Sequence, residues 1–233
     1  MNKTAILIPA RYGSTRFPGK PLALLNGVPM IRRVYDRCRD SGLDTYVLTD
    51  DVRIAEVIPE HSVYVDKEWY DNGTERCAGA VLSKTFDEYT RFINVQGDMP
   101  DVTLEMIQKI QLLLENYYVA TVYAKMDPKK QNDPTTVKMI RSQEEALWFG
   151  RGITGYGEWH LGVYGYTCYA LKEYMILGRP AEETIEKLEQ LRWLKNGWRI
   201  GVAEVSFSGT EINTPQDLED WSQSHALQKH IHI

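Results

Sequence analysis

Short, nearly continuous apolar runs recur along the first half of the chain, and segments with helical periodicity separate them. The runs have the length of strands buried on both faces of a sheet, and they predict strands at Thr4–Pro9, Thr45–Thr49, Ser62–Val65, Arg91–Val95 and Val119–Tyr123. The intervening periodic segments predict helices at Met30–Cys38, Val52–Ile58, Thr74–Leu82 and Thr103–Asn116. This alternation is typical of a parallel, doubly wound α/β sheet.

The alternation loosens after about residue 125. The pattern predicts antiparallel strands at Thr135–Ile140 and Ala146–Phe149, further strands at Val163–Tyr169 and Arg199–Val205, and an amphipathic helix at Glu183–Lys195. A last helix, capped by Thr214, is expected from Pro215 to about Gln228. We therefore interpret residues 1–233 as one domain with a mostly parallel, doubly wound sheet and a small antiparallel excursion at about 125–175.

Composition narrows the class of protein. Hydrophobic residues make up 43% and charged residues 25%, as in ordinary globular proteins. Apolar runs are shorter than the roughly 18 residues that span a bilayer, and no signal-peptide pattern is present, so we expect a cytoplasmic protein without membrane insertion. The net charge of −5 disfavours nucleic-acid binding. The cysteines Cys38, Cys77 and Cys168 lie far apart, which favours reduced thiols over disulfides.

Basic residues and glycines are concentrated directly after the first predicted strand, in residues 9–22. This segment contains Arg11, Gly13, Arg16, Gly19 and Lys20. Arginine forks and lysine charges match phosphate oxygens, and glycines allow close backbone approach. The spacing is not that of a Walker A loop, because the glycines are too far apart and proline follows the lysine. The composition indicates a polyphosphate or sugar-phosphate site, and a solvated basic loop is the alternative.

An aspartate follows the predicted strand Arg91–Val95 through the turn Gln96-Gly97. We expect Asp98 to project from the carboxyl end of that strand, where ligands of α/β sheets bind. A carboxylate opposite a triphosphate is suited to Mg²⁺, which uses few protein ligands and completes its shell with phosphate oxygens and water. The alternative is that Asp98 stabilises a turn or caps the helix that begins near Thr103.

Residues 9–22, PARYGSTRFPGKPL, resemble the signature loop of the 3-deoxy-manno-octulosonate (KDO) cytidylyltransferase family. Five further segments resemble that family in its own order: Asn72–Arg76, Asn94–Asp98, His160–Tyr166, Glu186–Arg192 and Asn213–Leu218. The resemblance implies a nucleotide-diphospho-sugar transferase-like fold, Mg²⁺ as cofactor, and CTP and an acidic sugar as substrates. It also implies a homodimer, with the excursion at about 125–175 on the side of sugar binding and dimerisation.

The resemblance assigns roles to individual residues of this chain. It implies catalytic roles for Arg11, Arg16, Lys20 and Asp98. It implies nucleotide binding by Ala10, Arg11, Ser14, Asn72, Gly73, Thr74 and Gln96. It implies sugar binding by Arg16, Arg151, His160, Tyr164, Glu189 and Gln190, and metal binding by Asp98 and Asn213. From the residues alone, helix capping at 72–75 and a structural histidine at 160 remain alternatives.

The chain departs from the family pattern in two places. Asn213 stands where the family has a second metal-binding aspartate, so weaker metal binding, a substitute ligand such as Asp217 or Glu211, or lost activity would follow. The crossing from Arg151 to His160 is shorter than in the family, which leaves the identity of the acidic sugar open.

The resemblance implies transfer of CMP from CTP to the anomeric hydroxyl of KDO, with release of pyrophosphate, for surface polysaccharide or lipopolysaccharide synthesis. Two alternatives stand beside it. One is the same chemistry with another nucleotide or another acidic sugar, such as an 8-amino analogue or a sialic-acid-like substrate. The other is a non-catalytic relative that binds nucleotide or sugar.

Overall fold

The computed structural model describes residues 2–13 and 17–229, with side chains up to residue 225. Its strands are β1 (Thr4–Ala10), β2 (Leu24–Leu25), β3 (Val28–Pro29), β4 (Asp44–Thr49), β5 (Val63–Val65), β6 (Arg91–Val95), β7 (Val119–Ala124), β8 (Lys138–Ser142), β9 (Glu145–Gly150), β10 (Glu158–Thr167) and β11 (Ile200–Glu204). Its helices are α1 (Met30–Arg39), α2 (Val52–Ala55), α3 (Gly73–Leu82), α4 (Leu104–Leu113), α5 (Cys168–Tyr174), α6 (Ala181–Glu186), α7 (Leu191–Lys195) and α8 (Pro215–Lys229).

The chain divides into two compact units, which are described separately. The first unit contains Met1–Ala5, Tyr70–Asn94 and Leu104–Phe207. The second unit contains Ile6–Trp69, Val95–Thr103 and Ser208–Ile233. The interpretation of residues 1–233 as one domain stays a prediction. No helix in the described ranges combines the length and apolar content needed to cross a membrane.

In the second unit the strands lie in the order β5-β4-β1, and β4 pairs with β5 in parallel, with Val47 opposite Val63. Helix α1 packs on β4 because its apolar side chains recur on one face. Those buried side chains are Met30, Ile31, Val34, Tyr35 and Cys38. Helix α8 closes this unit through Trp221, which packs with Ile212 and Leu25.

In the first unit the strands lie in the order β6-β10-β7-β11-β9-β8. Strand β11 runs parallel to β7, whereas β10 runs antiparallel to it with an irregularity between Leu161 and Tyr164. Strands β8 and β9 form the predicted antiparallel pair, with Ile140 opposite Trp148. Every residue of β7 is buried, as its continuous apolar pattern indicates. The predicted strands of the first half and their helices are thus confirmed, with shifted ends.

The predicted strand Val163–Tyr169 is confirmed within β10 except for its end, and the predicted single helix Glu183–Lys195 was wrong. The strand expected to reach Tyr169 ends at Thr167, whose hydroxyl accepts a hydrogen bond from the Ala170 amide at 3.2 Å and so caps α5. The expected single helix Glu183–Lys195 is two short helices, α6 and α7. It breaks at Lys187, which adopts a left-handed conformation with φ of 55°, and the next amide bonds back to the Glu183 carbonyl at 3.3 Å.

Gly165 lies in β10 where a side chain has no room. A Cβ there would lie 2.3 Å from Ile110 Cγ2 and 3.0 Å from Leu114 Cδ1. We expect Gly165→Ala to lower the free energy of unfolding by about 1–3 kcal/mol, because overpacking forces neighbours off their rotamers. Urea denaturation measures the change. The matched control is Gly152→Ala, since a Cβ there meets nothing within 4 Å. Equal losses in the two variants would contradict the packing argument.

Candidate active site

The basic loop of the second unit is held at both ends by backbone contacts. Strand β1 delivers buried Ala10 and exposed Arg11 to the start of the loop. The Tyr12 amide donates to an Asp50 carboxylate oxygen at 3.3 Å, and the Gly19 amide donates to the Tyr12 carbonyl at 3.2 Å. Gly19 has a φ of 70°, and a Cβ there would lie 3.2 Å from Tyr12 Oη. Glycine is therefore required at position 19 by conformation and by space. Ser14 and Arg16, two predicted site residues, lie outside the described residues.

Lys20 and Asp98 form an ion pair in the second unit. Lys20 Nζ lies 2.5 Å from Asp98 Oδ2, and the two side chains are only 16% and 23% exposed. Gly97 allows the segment before Asp98 to approach β1, because a Cβ there would lie 3.2 Å from the Pro9 carbonyl oxygen. Two residues that the sequence placed in one site are thus in direct contact, with Gln96 half-buried just before them.

Asn213 is brought beside Asp98 by a backbone hydrogen bond. The Ile212 amide donates to the Asp98 carbonyl at 3.0 Å. The amides of Asn213 and Thr214 donate to Asp217 Oδ2 at 2.9 and 2.8 Å, and the Asp217 amide donates to Thr214 Oγ1 at 3.2 Å. This reciprocal pattern is a capping box, which confirms the predicted cap and gives Asp217 a structural role at the start of α8.

The oxygen donors at this place fit a partially protein-bound Mg²⁺. Asp98 offers a carboxylate and Asn213 an amide, both hard oxygen ligands of the type that Mg²⁺ uses alongside phosphate oxygens and water. Among the described residues, no group of three or more histidine, cysteine, aspartate and glutamate side chains is arranged to hold a metal.

The Asn72–Arg76 segment of the first unit begins α3. Asn72 Oδ1 accepts a hydrogen bond from the Glu75 amide at 2.8 Å, so the capping interpretation of this stretch is confirmed. Gly73 is the first helical residue. The Thr74 amide donates to Glu189 Oε2 at 3.1 Å, and its hydroxyl lies 2.9 Å from the Tyr166 hydroxyl. Nucleotide binding by these residues stays a prediction.

Glu189 is a carboxyl group whose environment favours its neutral form. Burial raises the pKa of Glu189 from 4.5 to about 7, although the hydrogen bonds from Thr74 act in the opposite direction. The side chain therefore changes its charge near neutral pH. It connects the turn between α6 and α7 to the first turn of α3.

The predicted sugar residues His160, Tyr164 and Gln190 form a buried cluster. The His160 ring lies edge-on to Phe149, and its Nε2 is 3.0 Å from Thr121 Oγ1. Burial, with a smaller effect of the Arg151 charge, lowers the pKa of His160 to about 3, so the ring is neutral at physiological pH. Tyr164 donates its hydroxyl proton to Gln190 Oε1 at 3.2 Å.

Gln190 keeps one amide donor unused. Its side chain is fully buried, yet Nε2 has no hydrogen-bond partner in the described part of the chain. A buried polar group without a partner is costly, and a bound water or ligand is one explanation for such a group. Sugar binding by Gln190 stays a prediction.

Arg151 is held mainly by main-chain oxygens. Its Nη1 donates to the Thr135 carbonyl at 2.5 Å and its Nε to the Glu186 carbonyl at 3.2 Å. Its own amide donates to the Glu186 carboxylate at 2.9 Å. The guanidinium has five N–H donors, so these bonds orient it and leave other donors for an anion.

Sequence reasoning missed the residues that hold this cluster in place. Arg192 is 4% exposed and bridges Glu75 at 2.9 Å and Glu183 at 2.5 Å. These ion pairs fix α7, which follows Gln190, against α3. Thr121, which contacts His160, was also missed. No periodicity distinguishes a buried arginine from an exposed one, because both fit an amphipathic helix.

Comparison with known proteins decides the family. The cytidylyltransferase family model matches residues 5–200. The chain belongs to the cytidylyltransferase family. It is 37% identical to a 3-deoxy-manno-octulosonate cytidylyltransferase of Parabacteroides distasonis, over 94% of this chain and 96% of that protein. It is 38% identical to an 8-amino-3,8-dideoxy-manno-octulosonate cytidylyltransferase of Shewanella frigidimarina, over 93% and 96%.

Solved structures of cytidylyltransferases have the same fold. A CMP:2-keto-3-deoxy-manno-octonic acid synthetase solved in complex with CTP superposes with a TM-score of 0.89 and 32% identity, over 97% of this chain and all of that one. A 4-diphosphocytidyl-2C-methyl-D-erythritol synthase from Anaerococcus prevotii has a TM-score of 0.67 at 12% identity, which shows the fold alone. The predicted family and the α/β fold class are confirmed.

The raised pKa of Glu189 predicts a specific pH dependence of stability. The folded protein holds this proton more tightly than the unfolded chain, so the contribution of Glu189 is greatest below pH 4.5 and is lost as pH rises to about 7. Urea denaturation should therefore show that the free energy of unfolding of Glu189→Gln, relative to that of wild type, rises by about 1–3 kcal/mol between about pH 5 and about pH 7.5.

Glu182→Gln is the control for this prediction. The Lys195 hydrogen bond lowers the pKa of Glu182 from 4.5, so this carboxylate contributes to stability near neutral pH and loses its contribution in acid. The difference in stability between Glu182→Gln and wild type should therefore stay constant between about pH 5 and about pH 7.5 and shrink only in acid. A constant difference between Glu189→Gln and wild type across the range would contradict the prediction.

Proposed function

We propose that this enzyme transfers CMP from CTP to the anomeric hydroxyl of 3-deoxy-manno-octulosonate, giving CMP-KDO and pyrophosphate. The observation that carries the proposal is the Lys20–Asp98 ion pair beside the loop that follows β1, because it brings together the cation proposed for phosphate and the carboxylate proposed for Mg²⁺. The similarity to a KDO cytidylyltransferase over almost the entire length of both chains supports the choice of substrate.

The second unit contains the residues proposed for the triphosphate. Arg11 would bind phosphate oxygens with its guanidinium, and Lys20 would turn from Asp98 toward a phosphate when the nucleotide binds. Ala10, Ser14, Arg16 and Gln96 belong to the same proposed set. Mg²⁺, the proposed cofactor, would be held by Asp98 and Asn213 and would neutralise phosphate charge and acidify the attacking hydroxyl.

The first unit contains the residues proposed for the base, ribose and sugar. Asn72, Gly73 and Thr74, at the start of α3, are the candidates for nucleotide binding. Gln190 Nε2 is an unused donor for a sugar hydroxyl, and Tyr164 contacts the other side-chain atom of this amide, Oε1. Glu189, the residue before Gln190, belongs to the same proposed set. Arg151 is the candidate for the sugar carboxylate.

His160 would orient the sugar through hydrogen bonding rather than accept the proton of the attacking hydroxyl. A ring whose pKa lies near 3 has little tendency to accept a proton at neutral pH. In-line attack on the α-phosphorus then depends mainly on positioning and on charge neutralisation by Arg11 and Lys20.

We also propose that the enzyme is a cytoplasmic homodimer and that its product is used in lipopolysaccharide synthesis.

A second substrate has specific support. Relatives from Shewanella that act on 8-amino-3,8-dideoxy-manno-octulosonate are as similar to this chain as the KDO relative. A panel of KDO, the 8-amino sugar and a sialic acid, scored by pyrophosphate release from CTP, separates these possibilities. We expect the highest kcat/KM with KDO. Activity with the 8-amino sugar alone would reassign the substrate, and nucleotide binding without turnover of any sugar would indicate a non-catalytic relative.

The neutral Asn213 predicts a weak metal site that one charge should strengthen. We expect Asn213→Asp to lower the Mg²⁺ concentration for half-maximal activity about fivefold, because a carboxylate adds roughly 1 kcal/mol of attraction at this range. Calorimetric titration of Mg²⁺ into the protein with CTP measures the same shift without turnover. The exposed residue Asn116 provides the control, since Asn116→Asp adds the same charge in the first unit. If both variants lowered the required Mg²⁺ concentration equally, the effect would come from net charge and not from a metal ligand at position 213.

A further inference from the structure

The loop of residues 9–22, proposed above to bind the triphosphate and called the phosphate loop below, contains Tyr12. An arginine from another element covers the Tyr12 ring. The guanidinium of Arg53, in α2, lies over the ring of Tyr12 with its carbon 3.5 Å from the ring centroid. A guanidinium stacked on an aromatic face is attracted by the ring quadrupole. This contact reaches the loop from the helix that follows β4, so it joins two segments far apart in sequence.

The stacked guanidinium is itself fixed in its plane. Arg53 Nε donates to Asp51 Oδ1 at 2.9 Å and Nη2 donates to Oδ2 at 2.6 Å. The same carboxylate accepts the Arg53 amide at 2.9 Å and so caps α2. The hydrogen bonds from Arg53 lower the pKa of Asp51 to about 2, which keeps this pair charged at neutral pH.

The backbone and the hydroxyl of Tyr12 make further contacts. Its amide is bound by Asp50, its carbonyl by the Gly19 amide, and its hydroxyl lies against Gly19. Tyr12 is therefore the point at which the start and the end of the loop are both anchored. Arg11 precedes it directly, and Lys20 follows Gly19.

We propose that Arg53 is a positioning residue for triphosphate binding, acting through Tyr12. By holding the Tyr12 ring against Gly19, it fixes the backbone from which Arg11 and Lys20 extend. This inference rests on the proposed function, since the triphosphate is the ligand of that loop. An isolated ion pair with an arginine that is 53% exposed would contribute little, and the stack on Tyr12 is what gives Arg53 a role in the loop.

The test compares Arg53→Gln, Arg53→Lys and Tyr12→Leu in steady-state kinetics. Arg53→Gln should raise the KM for CTP by about threefold to fivefold, the size of a partly exposed cation–π contact, with kcat and the KM for sugar changed less than about twofold. Arg53→Lys keeps the charge but not the planar fork, so it should stay near the glutamine variant. On a Tyr12→Leu background, Arg53→Gln should add nothing further.

The control is Arg32→Gln. Arg32 also pairs with a nearby aspartate, Asp36, and lies over a tyrosine, Tyr35, but these residues belong to α1 and not to the loop. We expect its kinetics to match wild type. Melting temperatures of all variants check that the fold is intact.

The possible results are distinguishable. A wild-type KM for CTP in Arg53→Gln would overturn the positioning role while leaving the proposed function standing. Full rescue by Arg53→Lys would overturn it in favour of simple charge. No turnover of CTP by the wild type with any sugar would overturn the proposed function, and the role of Arg53 with it.

Discussion

The loop after β6 is the constraint on which the second unit depends. Its Asp98 carbonyl accepts the Ile212 amide, and the Asp98 carboxylate binds Lys20. Three residues later, Asp101 accepts the Thr210 amide at 3.0 Å and the Trp221 indole at 2.9 Å. The segment Asp98–Asp101 thus binds Lys20, near the start of the chain, through an ion pair. It binds residues near the end of the chain, Thr210, Ile212 and Trp221, through hydrogen bonds. Charge-assisted bonds of this length are stronger than neutral ones, and their partial burial protects them from screening by salt.

In the first unit, charged side chains are stabilised inside an apolar core. Arg192 does this by pairing with two carboxylates, one on α3 and one on α6. Removing one partner of such a network leaves a buried charge without compensation, so each member constrains the others. Gln190 precedes α7, the helix that carries Arg192, and its Nε2 has no hydrogen-bond partner in the described part of the chain.

Local patterns predicted what local physics decides. The strand Arg91–Val95 and the cap at Thr214 follow from residues that are neighbours in sequence, and the motif order identified the family. The break at Lys187 was missed because a non-glycine residue there adopts a left-handed conformation that propensity disfavours. The stack of Arg53 on Tyr12 was missed because it joins segments that only the tertiary fold brings together. Side-chain roles toward ligands depend on such contacts, and they remain predictions.

The bond between Asp101 and Trp221 joins residues separated by 120 positions. During synthesis, the loop after β6 leaves the ribosome long before its partner does. Nascent chains fold from the amino terminus as they emerge, at about 5–20 residues per second. The bond between Asp101 and Trp221 can therefore form only after the last part of the chain has been made, roughly 6–24 seconds after Asp101 at that rate. Until then the loop after β6 lacks one of the hydrogen bonds that fix it.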